Sequence, residues 1–286
     1  MQRRTPKHST AFVIARCLCI AACLSSPQHH RIALATTTSA NSGLLEVVLP
    51  AFRSQTGTDV QLVTPGSGIA LDMLAHGDVD VVISHSPARE AQVISHRTWR
   101  YRKIMFNDFV IVGPTDDPAH VLGVPTADVA MRRIAASGVR FISRGDSSGT
   151  HEREQELWAR AGITPNPAQV VVAGSGMGAT LRIAGTMRAY TLTDRATFSQ
   201  QAGRGDLKIV LERDPTLLNT YAVIVPNEAS PDALKFADWL VRGDGRRLIE
   251  VYRVAGAHAF TVWPPDCPAD VPSALPCGGM SADARR

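Results

Sequence analysis

The chain has 286 residues, enough for one large domain or two ordinary lobes with a real core, and 44% hydrophobic and 20% charged residues suit a soluble globular protein. Its net charge of +4 is mild and spread out, with no Lys/Arg block of the kind a nucleic-acid arm needs.

The first thirty residues stand apart. Arg3, Arg4, Lys7 and His8 make a basic start, and an apolar stretch over 11–24, interrupted by Arg16, follows. This is the pattern of an export signal, too short for a membrane span. Ile20-Ala21-Ala22-Cys23 resembles a lipobox, which would make Cys23 a lipidated first residue; plain cleavage a few residues away is the alternative.

From Arg31 short apolar runs alternate with helical periodicity, which predicts an α/β protein. Strands are expected at 31–35, 59–63, 79–83, 109–112, 139–143, 170–173, 189–192, 207–211 and 222–225. Helices are expected at 44–56, 69–76, 128–137, 150–161, 178–184 and 231–242, the last continuing toward 251. Asp108-Phe109-Val110-Ile111-Val112-Gly113-Pro114 and Tyr221-Ala222-Val223-Ile224-Val225-Pro226 are similar strands ending in Pro, flanking about a hundred residues. Read as crossover strands, they divide the chain into a first lobe of 31–110 and 222–262 and a second of 111–221, with a ligand between them; read otherwise, they are two ordinary core strands. The Pro-rich tail of 263–286 holds Cys267 and Cys277, ten residues apart. With export they make a natural disulfide, whereas a metal site would lack a neighbouring His or third Cys.

Chemistry is concentrated where a strand gives way to a helix, because unpaired backbone N–H groups and the positive dipole end form an anion site there. Thr36-Thr37-Thr38-Ser39 offers four hydroxyls, and Ser67 opens a helix within Gly66-Ser67-Gly68. The strongest cluster is Ser143-Arg144-Gly145-Asp146-Ser147-Ser148-Gly149-Thr150-His151. Arg144 provides a permanent, planar fork for an oxyanion, Ser148 and Thr150 add hydroxyls, and Gly149 lets the backbone approach; a capped helix with an Arg144–Asp146 pair is the plainer reading. Gly174-Ser175-Gly176-Met177-Gly178-Ala179 mimics a dinucleotide fingerprint, with Asp194 farther along, but it lies mid-chain in an exported protein, and its glycines can offer amides to an anion instead. Tyr190-Thr191-Leu192-Thr193-Asp194-Arg195 is a fifth junction, with Tyr190 expected in the cradle. His85 and His151 lack the spacing of a metal helix, and Asp78 and Asp80 read as a solvated turn, so an enzyme is not expected.

Taken in order, Leu34-Ala35-Thr36-Thr37-Thr38-Ser39, Gly77-Asp78-Val79-Asp80-Val81, the Asp108 strand, the Arg144 cluster, Gly174-Ser175-Gly176-Met177-Gly178 and the Tyr190 segment resemble the tungstate-binding proteins of bacterial ABC importers, over about residues 32–255. The resemblance implies a type II periplasmic binding protein, two α/β lobes joined by two crossover strands. It further implies a monomeric clamp without cofactor that delivers tungstate, or molybdate, to a membrane permease with its ATPase. Its implied contacts are Thr37, Thr38, Ser67, Arg144, Ser148, Gly149 and Thr150, with Ser39, Gly176 and Tyr190 added from the junction argument. Phosphate-binding relatives carry a similar Arg-x-Asp-x-Ser-Gly-Thr element, so a phosphate importer is the alternative, and a sensing module is another. Such relatives place an acceptor Asp where this chain has Ser84-His85-Ser86. A pocket of donors alone is therefore expected, which suits a fully deprotonated anion and disfavours hydrogen phosphate.

Overall fold

The computed structural model describes residues 30–37, 43–95, 98–201, 205–273 and 277. The chain opens with β1 (Arg31–Ala35), α1 (Leu44–Thr56), β2 (Asp59–Val63), α2 (Ser67–His76), β3 (Val81–Ser84) and α3 (Pro87–Ile94). The long β4 (Trp99–Pro114) leads to α4 (Ala127–Ser137), β5 (Phe141–Ser143), α5 (Gly149–Arg160), β6 (Val170–Val172), α6 (Met177–Met187), β7 (Tyr190–Asp194), α7 (Arg195–Gln200) and β8 (Leu207–Leu211). A 3₁₀ turn precedes β9 (Leu218–Pro226), and then come α8 (Pro231–Arg242), α9 (Asp244–Val251), the hairpin β10 (Arg253–Val254) with β11 (Ala257–His258), and β12 (Thr261–Val262).

Local sequence explains much of this. The apolar stripe of α1 buries Leu44, Leu45, Val48 and Phe52, as its periodicity predicts. Phe52 meets Phe236 and Trp239 edge-on, at 4.9 and 5.2 Å between ring centroids. Truncating it to Ala would remove roughly 3–5 kcal/mol of stability. All four residues of β3 are buried, which accounts for an apolar run without alternation. Gly243, in an extended conformation, separates α8 from α9 where one continuous helix was expected.

Strands follow the order β2-β1-β3-β9-β4-β7-β5-β6, with β8 and β12 also paired to β4. The arrangement turns on β4. From Trp99 to Asp108 it pairs antiparallel with β9, whereas from Phe109 onward it pairs with β7 and then β8. One buried cluster gathers Leu34, Phe52, Val81, Tyr221 and Phe236, and another gathers Phe109, Phe141, Trp158 and Leu192. Two lobes of α/β structure thus share β4 outward and β9 on the return. The lobes also touch directly: Gly68 N–H donates to the Ser147 carbonyl at 3.0 Å, and Ala88 N–H donates to Glu152 Oε1 at 3.0 Å.

Candidate oxyanion site

Where the lobes meet, a cavity of about 140 Å³ is lined by Thr37, Thr64, Pro65, Gly66, His85, Arg144, Asp146, Ser148 and Gly176. It is smaller than the pockets that hold drug-sized ligands. Three helix N-termini border it. Gly66 precedes α2, Ser148 is the N-cap of α5 and Gly176 is the N-cap of α6. Each presents backbone N–H groups and a partial positive charge, and together they make a field suited to a small anion.

Thr37 follows β1, whose end is held by Thr36: its N–H donates to the Val63 carbonyl at 3.0 Å and its hydroxyl to the Ile83 carbonyl at 2.8 Å. Arg144 follows β5 and is 5% exposed. Its backbone N–H donates to Glu154 Oε2, which also accepts from the Ser143 hydroxyl at 2.9 Å, so a carboxylate on α5 fixes the loop. The Arg144 guanidinium pairs with Asp146, while its buried Nε–H has no partner among the described residues. Ser148 donates to the other Asp146 oxygen and accepts from His151 N–H at 3.3 Å.

The structure places the expected site residues differently. Thr37, Arg144, Ser148 and Gly176 line the one cavity. Ser67, Gly149 and Thr150 sit on the first turns of α2 and α5: Ser67 Oγ accepts from His85 N–H at 3.2 Å, and the buried Thr150 hydroxyl has no partner among the described residues. Gly149 packs so closely on the other lobe that a Cβ there would lie 2.4 Å from the His85 carbonyl oxygen. Thr38, Ser39 and Cys23 lie outside the described residues. Cys267 and Cys277 are joined as a disulfide, with Cα atoms 5.9 Å apart.

Tyr190 requires a correction. It is fully buried in the second lobe's core, where its hydroxyl donates to Asp117 Oδ1 at 2.7 Å and accepts from Ala119 N–H at 2.9 Å. It pairs with Phe141, two residues before Ser143 on the parallel β5, and so enters the sheet below the strand ends that border the cavity. The donor-only pocket is corrected as well, because Asp146 and His85 are both in the wall. Asp146's oxygens already accept from Arg144 and Ser148, so His85 is the wall group that sequence reasoning left without a role. Its one sequence signal was its place directly after β3, at the same end of the sheet as Thr37 and Arg144.

His85 is 3% exposed, with its Nδ1 2.9 Å from Asn219 Oδ1. Burial drives its pKa down from the ordinary value to about 4; the Asn219 hydrogen bond opposes this, and the charges of Arg144 and Arg153 reinforce it. At neutral pH the ring is uncharged.

The chain is similar to known proteins over most of its length. The sequence profile of the PBP superfamily domain matches residues 24–244. The tungstate-binding protein TupA of Peptoclostridium acidaminophilum is 39% identical over 242 residues, covering 80% of this chain and 85% of that protein. Among solved structures, the tungstate ABC transporter protein of Geobacter sulfurreducens is 38% identical with a TM-score of 0.70, covering 78% of this chain and 98% of its own. The tungstate-binding protein TupA of Desulfovibrio alaskensis G20 is 36% identical with a TM-score of 0.68, covering 82% and 98%. With this fold, this cavity and these relatives, the chain belongs to the PBP superfamily, in the family of the tungstate-binding proteins of ABC importers.

Proposed function

We propose that the chain is the exported substrate-binding protein of an ABC importer, which closes two lobes over one tungstate dianion and presents the closed form to a permease driven by a separate ATPase. Molybdate, similar in size and charge, is the second ligand. The protein works in the periplasm as a monomer, anchored by lipid where Cys23 is retained as the first mature residue. No bond to the anion is made or broken.

The observation that carries this reading is the convergence of three helix N-termini and the buried Arg144 on one small cavity between lobes. Arg144 Nε–H, the Thr150 hydroxyl, Ser67 and the backbone at Gly149 and Gly176 supply donors, the Ser148 hydroxyl joins them by turning away from Asp146, and Thr37 supplies another from the facing lobe, next to Thr38 and Ser39 in sequence. A buried charge-assisted bond of this kind contributes about 1.5–3 kcal/mol. Hydrogen phosphate is the second reading, favoured by the neutral His85, whose free lone pair could accept the anion's proton. Calorimetry with tungstate, molybdate, sulfate and phosphate separates the two. Tight tungstate binding with weak phosphate binding is expected, and tight phosphate binding without a tungstate response overturns the ligand assignment.

A further inference from the structure

His85 ties together the parts that must move when the lobes close. It lies at the end of β3 in the first lobe and lines the cavity. Its ring stacks on Tyr221 of β9 at 5.0 Å and on Phe109 of β4 at 6.1 Å, so both crossover strands hold it. From the second lobe, Gly149 at the start of α5 abuts its Nε2 and Cδ2, where a Cβ would come within 2.9 Å. Its Nδ1 meets Asn219 Oδ1, and the Asn219 amide donates at 2.8 Å to both Asn107 Oδ1 and the Tyr221 hydroxyl. That amide orientation leaves Asn219 Oδ1 as an acceptor, so in the neutral ring the single proton resides on Nδ1 and Nε2 carries a lone pair.

We propose that His85 takes up a proton as the oxyanion is captured, changing at Nε2 from an acceptor into a charged donor. The inference rests on the reading of the cavity as the site of a fully deprotonated dianion. A lone pair beside such an anion is repulsive, and tungstate has no proton of its own to offer it. The charged groups facing His85 are Arg144 and Asp146 from the loop after β5 and Arg153 from α5; the polar groups are Asn219 and Tyr221 from β9. Burial opposes protonation most, and the charges of Arg144 and Arg153 add to it against the smaller opposite pull of Asp146. A bound dianion reverses that balance, because its charge compensates both arginines and attracts the imidazolium. Protonation of the ring keeps the Nδ1–H bond to Asn219, so the hinge contact survives the change. Charge uptake and lobe closure therefore act on the same side chain. Hydrogen phosphate would behave differently, donating its own proton to Nε2 and leaving the protein's proton count unchanged.

The test is calorimetric titration of the full chain with micromolar tungstate at about pH 6, repeated in buffers of different ionisation heat, with the apparent affinity followed up to about pH 8. The expected result is net proton uptake on binding and an affinity that rises as the pH falls, by at most about tenfold per pH unit for one linked proton. His85→Gln, which keeps an amide able to reach Asn219, should bind tungstate with no uptake and a flat profile. If that variant does not fold, nitrogen-15 spectra of the histidine-labelled native protein decide the matter: addition of tungstate should move one histidine from the neutral Nδ1–H form to the imidazolium. Tungstate binding with zero uptake and an unchanged imidazole overturns this proposal and leaves the ligand assignment standing. Absence of any tungstate binding overturns both.

Discussion

Glu90 is a second buried titratable group, and its titration is expected to act on stability. It is fully buried on α3, where Oε2 accepts from the Tyr101 hydroxyl at 2.8 Å and Oε1 from Ser86 N–H at 2.9 Å. Burial raises its pKa from 4.5 to about 7, against the pull of those two bonds. Because the folded pKa lies above the unfolded one, the associated stability is fully present below about pH 4.5 and is lost as the pH rises toward about 7. The loss amounts to at most about 3 kcal/mol. Glu90→Gln keeps an oxygen for Ser86 and an amide for Tyr101, so denaturant unfolding should find it more stable than the native chain at about pH 8 and no more stable at about pH 4; equal curves at both would remove the argument. Arg144 gives the matching prediction for binding. Arg144→Ala should weaken tungstate binding at least tenfold by calorimetry, and Arg144→Lys should recover only part of that loss, since a lysine restores charge without the planar fork.

At the scale of elements, α5 joins the site to the lobe contact, and its first residue separates capture from folding. Gly149 has an ordinary helical role at N1, but a methyl group there would meet the His85 backbone of the other lobe. Gly149→Ala should therefore lower tungstate affinity tenfold or more, because the lobes cannot approach, and cost less in thermal stability, because the strained contact lies between the lobes and not within either core. A loss of stability equal to the loss of affinity would count against this reading. The position of α5 was legible in the sequence, since a strand, a run of Ser, Gly and Arg, and an acidic first turn specify both the helix and its anion-facing end. Other elements were not legible, for physical reasons. The first half of β4, Trp99 to Lys103, alternates Arg with aromatic residues; its buried Lys103 is held over the Trp263 ring at 4.4 Å, a long-range partner that no local pattern shows. The short, polar α3 begins at Pro87 and buries chiefly Glu90, which gives no apolar stripe to read. Tyr190 stands apart from the cavity because most of its segment is buried strand rather than junction. Only the end of β7 is one, where Asp194 caps α7 by accepting from Thr197 N–H at 2.9 Å.

At the scale of the whole molecule, the proposed closure would bend the chain at β4 and β9, and the tail is fastened to both. Trp263 N–H donates to the Ile104 carbonyl at 2.9 Å, and Lys103 N–H donates to the Ala269 carbonyl at 2.8 Å. Phe106 of β4 and Leu218 of β9 pack with Trp263 and Cys267 in one buried cluster, and Cys277 lies against it. The disulfide closes this loop on itself, so it holds the tail over the crossover strands without joining lobe to lobe. A loop of ten residues implies at most about 3 kcal/mol of constraint, and an oxidising periplasm would keep it closed. Because none of these residues lines the cavity, the tail should act on stability and not on recognition. Cys277→Ser, or reductant added to the native protein, should lower the melting temperature by several degrees and make the chain cleavable beyond Trp263 in limited proteolysis. Tungstate affinity should change by less than about threefold. A melting temperature indifferent to reductant would show that the packing of Trp263 on Phe106 holds the tail unaided, whereas a large loss of affinity would show that the tail sets the resting angle of the hinge; either outcome is readable because the two measurements report on different ends of the same strands.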